Sequence, residues 1–127
     1  MREVITTKDA GAPAPVYSQA IKAGELLFIS GQLGVIPGTR QLVDKTIEGQ
    51  THQTLNNMRA ILAAAGATLD NVVKCTVFLR NPSDWAKFNE VYLEFFPKDP
   101  PARSAVGVSF HDEDTLVEVE AIAYLGE

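Results

Sequence analysis

The sequence predicts a single domain of mixed α/β (α+β) class, in which one mixed β-sheet carries two helices on one face. The chain has 127 residues, which is the usual length of one domain, and all of residues 1–127 are assigned to it. Short runs of alternating apolar residues, typical of strands, lie towards both ends of the chain. Two segments between them repeat apolar residues every three or four positions, as helices do. The predicted order is therefore β-β-β-α-β-α-β-β.

Three strands are predicted before the first helix, over residues 2–6, 17–22 and 26–30. Residues 23–25 (AGE) predict the hairpin turn between the second and third of these strands. The Gly- and Pro-marked segment 34–43 predicts a loop or a second hairpin.

The first helix is predicted over residues 47–65, because apolar residues share one face and Gly66 follows in the usual position of a terminating glycine. The second helix follows the break at 81–84 and carries an aromatic stripe that is predicted to be core. Its members are Trp85, Phe88, Tyr92, Phe95 and Phe96.

The remaining strands are predicted over residues 71–80, 102–110 and 116–125. Because strand–helix–strand crossovers are right-handed, both helices are expected on the same sheet face. The other face then stays uncovered, although it carries apolar residues such as Ile122 and Tyr124. We therefore expect a homo-oligomer of closed cyclic symmetry.

Composition argues against several functional classes. The formal net charge is −5 and the pI about 5.0, and basic residues never cluster, so a nucleic-acid partner is not expected. No stretch has the length of a signal peptide core or a membrane span, so no membrane partner is expected. The single cysteine, Cys75, allows no internal disulfide, and a reducing, cytoplasmic location is the simplest expectation.

Arg103 and Glu120 are the two candidate functional residues. Arg103 stands among small and apolar neighbours in PPARSAVGV (100–108), and Glu120 lies mid-strand between Val119 and Ala121. A charge in such a place is paired, protonated or functional. Their strands are expected to be hairpin neighbours, so spacing alone favours a cross-strand ion pair over a catalytic pair.

Other polar residues give weaker signals. His52 and His111 are expected to be solvated, the acidic residues 112–114 are expected to form a turn, and no metal site is predicted. Cys75 is expected in the core as a small apolar residue.

Several segments, in order and spacing, resemble the reactive-intermediate deaminase family, known as Rid or YjgF, and the resemblance spans nearly the whole chain. The segments are YSQA (17–20), FISGQL (28–33), NVVKCTVFL (71–79), FNEVYLEFF (88–96), PPARSAV (100–106) and VEVEAIA (117–123).

The resemblance implies a chorismate-mutase-like fold, assembled as a homotrimer whose sheets line a central barrel, with three sites in clefts between subunits. It also implies hydrolysis of small 2-imino acids, such as 2-iminobutanoate and 2-iminopropanoate, to 2-keto acids and ammonia. No metal or organic cofactor is implied, and the partner is a small imino or keto acid.

The matching positions imply roles for individual residues. Arg103 matches the arginine that clamps the substrate carboxylate, and the Gly31 N–H resembles a second donor. Glu120 matches the carboxylate that manages protons at the attacking water, and its partial burial is expected. Tyr17 and Ser30 match residues lining the cleft.

Two departures from the family pattern and two alternative functions stay open. Pro15 and Val16 replace the usual residues before Tyr17, and Ala105 occupies a substrate-contacting position where many members carry cysteine. The alternatives are a non-catalytic or chaperone-like module that binds keto or imino acids, and the endoribonuclease activity assigned to some L-PSP-like relatives.

Overall fold

A six-stranded β-sheet forms the body of the structure, a computed structural model that describes residues 2–126. The elements are β1 (Arg2–Ile5), β2 (Ala20–Ala23), β3 (Leu26–Gln32), α1 (Ile47–Ala64), β4 (Val72–Leu79), α2 (Trp85–Phe95), β5 (Ala102–Gly107) and β6 (Val117–Tyr124). The strand order across the sheet is β1-β2-β3-β6-β4-β5. Among the strands of residues 2–126, only β4 and β5 pair in parallel, and the other pairings are antiparallel. The predicted element order and mixed sheet are therefore confirmed.

Helix α1 begins and ends where the local sequence favours it. The Thr46 side chain caps α1 by accepting a hydrogen bond from the Gly49 N–H at 3.0 Å. Gly66, with φ +77°, follows Ala65 at the end of α1, as predicted, because a positive φ there suits glycine. Neither helix within residues 2–126 has the length and apolar character needed to cross a membrane.

The core lies between the helices and one sheet face. On β6 the odd-numbered residues are buried beneath the helices, whereas the even-numbered ones are exposed or half-buried. The aromatic side chains of Phe88, Tyr92 and Phe96 join the same core from α2. The prediction that both helices cover one face is confirmed, and the second face stays open in the single chain.

Two strands, β2 and β5, each have one end that differs from the prediction by three residues. β2 begins at Ala20 and not at residue 17, because the chain before it is held in an irregular segment. The fully buried Gln19 side chain donates to Thr7 O at 3.0 Å and to Gly11 O at 2.7 Å, which ties residue 19 to the loop that follows β1. β5 ends at Gly107 and not at 110, because β4, its one sheet partner, ends at Leu79.

The expected hairpin of the last two strands is wrong. β4 lies between β5 and β6, with Cys75 opposite Arg103 on one side and Thr76 opposite Glu120 on the other. β6 has a fully buried face and takes a central place, whereas the largely exposed β5 forms the edge. Burial of the more apolar strand accounts for this order.

Candidate active site

Three of the predicted site residues, Tyr17, Ser30 and Gly31, meet in one cleft of about 420 Å³. Two hydrogen bonds fasten the segment carrying Tyr17 to β3. Ser30 Oγ donates to Ser18 O at 2.6 Å, and Ser30 N donates to Gln19 O at 2.9 Å. The position of Tyr17 is therefore set by hydrogen bonds between the two following residues and Ser30 of β3.

A bulge in β3 shapes this cleft. Ile29 pairs with Ala121 and Gln32 with Val119, so Ser30 and Gly31 together lie opposite the single residue Glu120. An extra residue in one strand bends it locally and redirects its side chains and amides. The bulge therefore brings the Ser30–Gly31 backbone next to the carboxylates of β6.

The opposite wall of the cleft comes from the loop between β5 and β6, which includes His111 and Asp112. The fully buried Gln50 of α1 anchors this loop. Its Nε2 donates to Asp114 O at 2.8 Å, and its Oε1 accepts from Leu116 N at 2.8 Å. The sequence did not indicate this role of Gln50, because a polar residue in a helical pattern gives no sign of hydrogen bonds to backbone groups that are distant in the chain.

Glu120 lies on the open sheet face, beside a second depression of about 390 Å³ that also includes Ser30 and Thr76. Its side chain is exposed in the single chain, so the expected partial burial is not found there. Ser30 also lines the Tyr17 cleft, so the depression beside Glu120 and that cleft adjoin at this residue.

Arg103 lies on the edge strand β5, and its side chain turns towards α2. Nη1 donates to Asn89 Oδ1 at 2.9 Å, and the guanidinium carbon lies 4.9 Å from the Tyr92 ring centroid and 5.8 Å from that of Phe88. No carboxylate in the described part of the chain pairs with this exposed guanidinium. Asn89 therefore holds the Arg103 guanidinium, a contact that sequence spacing did not reveal.

Arg103 and Glu120 occupy opposite faces of the sheet, with β4 between their strands. The cross-strand ion pair favoured by spacing alone is therefore wrong within one chain. Ala105, which is half-buried opposite Val77, lies on the same helix-covered face as Arg103. One chain thus separates the predicted residues into an arginine half and a carboxylate half.

Glu118 joins the carboxylate half, although sequence reasoning did not select it. It lines the cleft with Tyr17 and Gly31, two positions before Glu120 on the same face of β6. Burial raises the pKa of the Glu118 carboxyl, and the neighbouring charge of Glu120 raises it further. The alternating VEVE pattern at 117–120 was the available signal, since period two places both glutamates on one face.

Cys75 is a core residue, as expected. It is fully buried, and burial raises the pKa of its thiol to about 11, an effect that Tyr92 and Arg103 partly offset. Within residues 2–126, no group of three His, Cys, Asp or Glu side chains is arranged to hold a metal ion.

Comparison with known proteins identifies related sequences over nearly the whole chain. Residues 7–125 match the model of the family described as Endoribonuclease L-PSP. A RutC family protein of Pyrococcus horikoshii is 52% identical, covering 98% of this chain and 98% of its own length. Reactive Intermediate Deaminase A, chloroplastic, of Arabidopsis thaliana is 44% identical, covering 98% of this chain and 66% of its own. The 2-iminobutanoate/2-iminopropanoate deaminase of Dermatophagoides farinae is 37% identical, with 98% and 97% covered.

Solved structures share the fold. YyfA of Yersinia pestis, described as a member of the conserved Rid protein family, superposes with a TM-score of 0.91 at 42% identity, covering 98% of this chain and 99% of its own. TdcF of E. coli, solved with bound serine, gives a TM-score of 0.87 at 37% identity, covering 96% of this chain and 98% of its own.

Proposed function

Because the chain belongs to the Rid family, whose matching family model is described as Endoribonuclease L-PSP, we propose that it hydrolyses small 2-imino acids to 2-keto acids and ammonia. 2-Iminobutanoate and 2-iminopropanoate are the proposed substrates. The observation that carries the proposal is the exposed guanidinium of Arg103, which is held against α2 without a carboxylate partner in the described chain.

Arg103 is proposed to clamp the substrate carboxylate, the fixed charge of a small imino acid. A guanidinium binds a carboxylate through two parallel hydrogen bonds, a geometry that lysine cannot reproduce. Asn89 and the Tyr92 ring restrict the side chain before substrate arrives, so less rotamer freedom is lost on binding.

A second copy of the chain is proposed to complete the site. Arg103 and Glu120 point away from opposite sheet faces, so Arg103 of one copy must meet the carboxylate half of another. The open face supports such an assembly, because Phe28 is 43% and Tyr124 42% exposed there. A homotrimer, as the resemblance implies, supplies three such sites.

In the carboxylate half, Glu120 is proposed to take a proton from the water that attacks the imine carbon. Gly31 offers its N–H to the substrate, while Tyr17 and Ser30 line the cleft. An imine is already electrophilic, so positioning and proton transfer suffice without a covalent intermediate. The reaction as proposed therefore requires neither a metal nor an organic cofactor.

The test measures imine lifetime directly. A threonine dehydratase generates 2-iminobutanoate, and semicarbazide traps what has not hydrolysed. We expect the wild-type protein to accelerate imine loss. Arg103→Ala should lose on the order of 10²-fold or more in kcat/KM, because charge-assisted hydrogen bonds contribute about 1.5–3 kcal/mol each. Arg103→Lys should recover little of that loss.

Arg59→Ala is the matched control. Arg59 also lies over an aromatic ring of α2, 5.0 Å from the Phe95 centroid, and also donates to an asparagine, Asn56. The Arg59→Ala variant should retain wild-type activity, because Arg59 lies outside the proposed site. Wild-type rates in Arg103→Ala would contradict the proposal.

A non-catalytic binding module is the second candidate, because the solved relative TdcF holds bound serine, a small amino acid. Binding of 2-oxobutanoate, lost in Arg103→Ala, without any acceleration of imine loss would favour it. RNA cleavage by purified protein, abolished in Arg103→Ala, would instead favour the nuclease function in the family description.

A further inference from the structure

We propose that Glu118 is a further catalytic residue, a general acid that donates a proton to the imine nitrogen while Glu120 receives one from water. The inference rests on the proposed deaminase function and deepens it, because it assigns the two proton transfers of imine hydrolysis to two different carboxyl groups.

The position of Glu118 is the first support. It lies in the cleft lined by Tyr17, Ser30 and Gly31, on the same side of β6 as Glu120. Its carboxyl group presses against the Gly31 backbone so closely that a Cβ at Gly31 would collide with it. The carboxyl therefore stands next to the amide that is proposed to hold the substrate.

Glu118 also lacks a structural partner. Its carboxyl group is half-buried, yet it makes no ion pair or hydrogen bond with any other residue of the described range 2–126. Arg80, at the end of the adjacent strand, donates its side-chain N–H groups to the carbonyl oxygens of Thr115 and Asp112. A partly buried carboxyl without a partner favours its protonated form.

The ionisable groups around Glu118 also favour the protonated form of its carboxyl group. Glu120 raises the pKa of Glu118 through its negative charge, in addition to the effect of burial. The loop that faces β6 across the cleft contributes Asp112, His111 and no lysine or arginine, and the segment before β2 contributes Tyr17. Two neighbouring carboxyl groups in unlike environments suit one to act as acid and the other as base.

The proton balance closes over one turnover. Glu120 takes a proton from water as the oxygen bonds to the imine carbon, and Glu118 gives its proton to the nitrogen, which forms a carbinolamine. Protonated Glu120 then returns its proton to the amino group, and ionised Glu118 takes the hydroxyl proton as the carbon–nitrogen bond breaks. Ammonia and the 2-keto acid leave, and both carboxyl groups regain their starting states.

The test compares pH–rate profiles of the wild-type protein, Glu118→Gln and the control Glu113→Gln. Glu113 is an exposed carboxylate in the loop beside the cleft and does not line it. In the wild type, kcat should fall as pH rises and Glu118 loses its proton. Glu118→Gln should lower kcat on the order of 10²-fold, remove that alkaline limb and leave KM nearly unchanged. The control should match the wild type.

Chemical rescue separates catalysis from structure. In Glu118→Ala, added formate should restore part of kcat, because a small acid can enter the space left by the side chain. If neither variant folds, the wild-type profile decides: an alkaline limb supports the inference, and its absence overturns it. Unchanged kcat and pH profile in Glu118→Gln, with Arg103→Ala inactive, would overturn the role of Glu118 alone. A wild type inactive on imines would overturn the deaminase function itself.

Discussion

The guanidinium carbon of Arg103 lies 4.9 Å from the centroid of the Tyr92 ring, while its Nη1 donates to Asn89 at 2.9 Å. Both partners belong to α2, which packs on the sheet beside β5. A cation over an aromatic ring at an exposed site contributes about 0.5–1 kcal/mol, comparable with a hydrogen bond. The helix therefore holds the charge of an otherwise exposed edge residue in one place.

Asn89→Ala should weaken substrate binding more than turnover. Loss of one hydrogen bond of about 0.5–1.5 kcal/mol frees the guanidinium, so KM should rise roughly 3- to 10-fold with a smaller change in kcat. Steady-state imine kinetics check this. Asn56→Ala, which removes the corresponding partner of Arg59, should leave both constants unchanged. An equal effect of the two substitutions would argue against a positioning role for Asn89.

Phe28→Glu should dissociate the proposed assembly. Phe28 is 43% exposed on the open face, and a carboxylate there cannot be buried between subunits without a large desolvation cost. Light scattering should show three times the 13.8 kDa chain mass for the wild type and a smaller mass for the variant, with lost activity. Leu93→Glu, on the exposed side of α2 where Leu93 is 53% exposed, should keep the wild-type mass.

Gly34→Ala should destabilise the fold by about 1–3 kcal/mol, the usual cost of overpacking. A Cβ at Gly34 would lie 2.5–2.9 Å from backbone atoms of Gln50, which cannot move without shifting α1. Gly107→Ala is the control, because its Cβ would meet only Leu79 O, at 3.8 Å. Denaturant-induced unfolding measures the free energy of unfolding of both variants. Equal stability of the two would contradict this packing argument.

Asp112→Asn should destabilise the protein at neutral pH but not in acid. The hydroxyl of Thr115, aided by backbone N–H groups, lowers the pKa of the Asp112 carboxyl below its ordinary value of 3.8. The carboxylate therefore stabilises the fold above that ordinary value, and the contribution disappears as pH falls through the lowered pKa. We expect a loss of about 0.5–1 kcal/mol at pH 7 that vanishes near pH 2.

Thermal unfolding at both pH values tests the Asp112 prediction. Glu113→Gln removes a carboxylate from the same turn without touching these hydrogen bonds. It should therefore show no comparable difference between pH 7 and pH 2. A loss for Asp112→Asn that persists at pH 2 would indicate a steric effect.

Cys75 should resist thiol reagents in the native protein. Its thiol is fully buried, and its pKa of about 11 leaves little reactive thiolate at pH 8. Labelling with a chromogenic disulfide should be at least 100-fold slower in the folded than in the denatured protein. A Ser83→Cys variant adds an exposed thiol, which should react at once while Cys75 stays protected. Fast native labelling of Cys75 would contradict its core placement.

The local hydrophobic pattern of the sequence determined the positions of most helices and strands. The three- to four-residue spacing and Gly66 placed α1 to within one residue, and the period-two runs located every strand of the sheet. Six motif segments in order and spacing, PPARSAV and VEVEAIA among them, together identified the family. These features depend on residues close together in the chain, so a sequence expresses them directly.

Tertiary structure alone decided how the candidate residues relate. Arg103 and Glu120 were expected on adjacent strands, yet β4 lies between them and the two side chains point to opposite faces. Likewise, only folding brings Glu118 against Gly31 at the β3 bulge. Strand order depends on which long-range strand pairings bury the most apolar surface. Local sequence periodicity does not show which pairings these are. The alternation specifies which residues share a strand face, whereas burial of β6 decides which strands become neighbours.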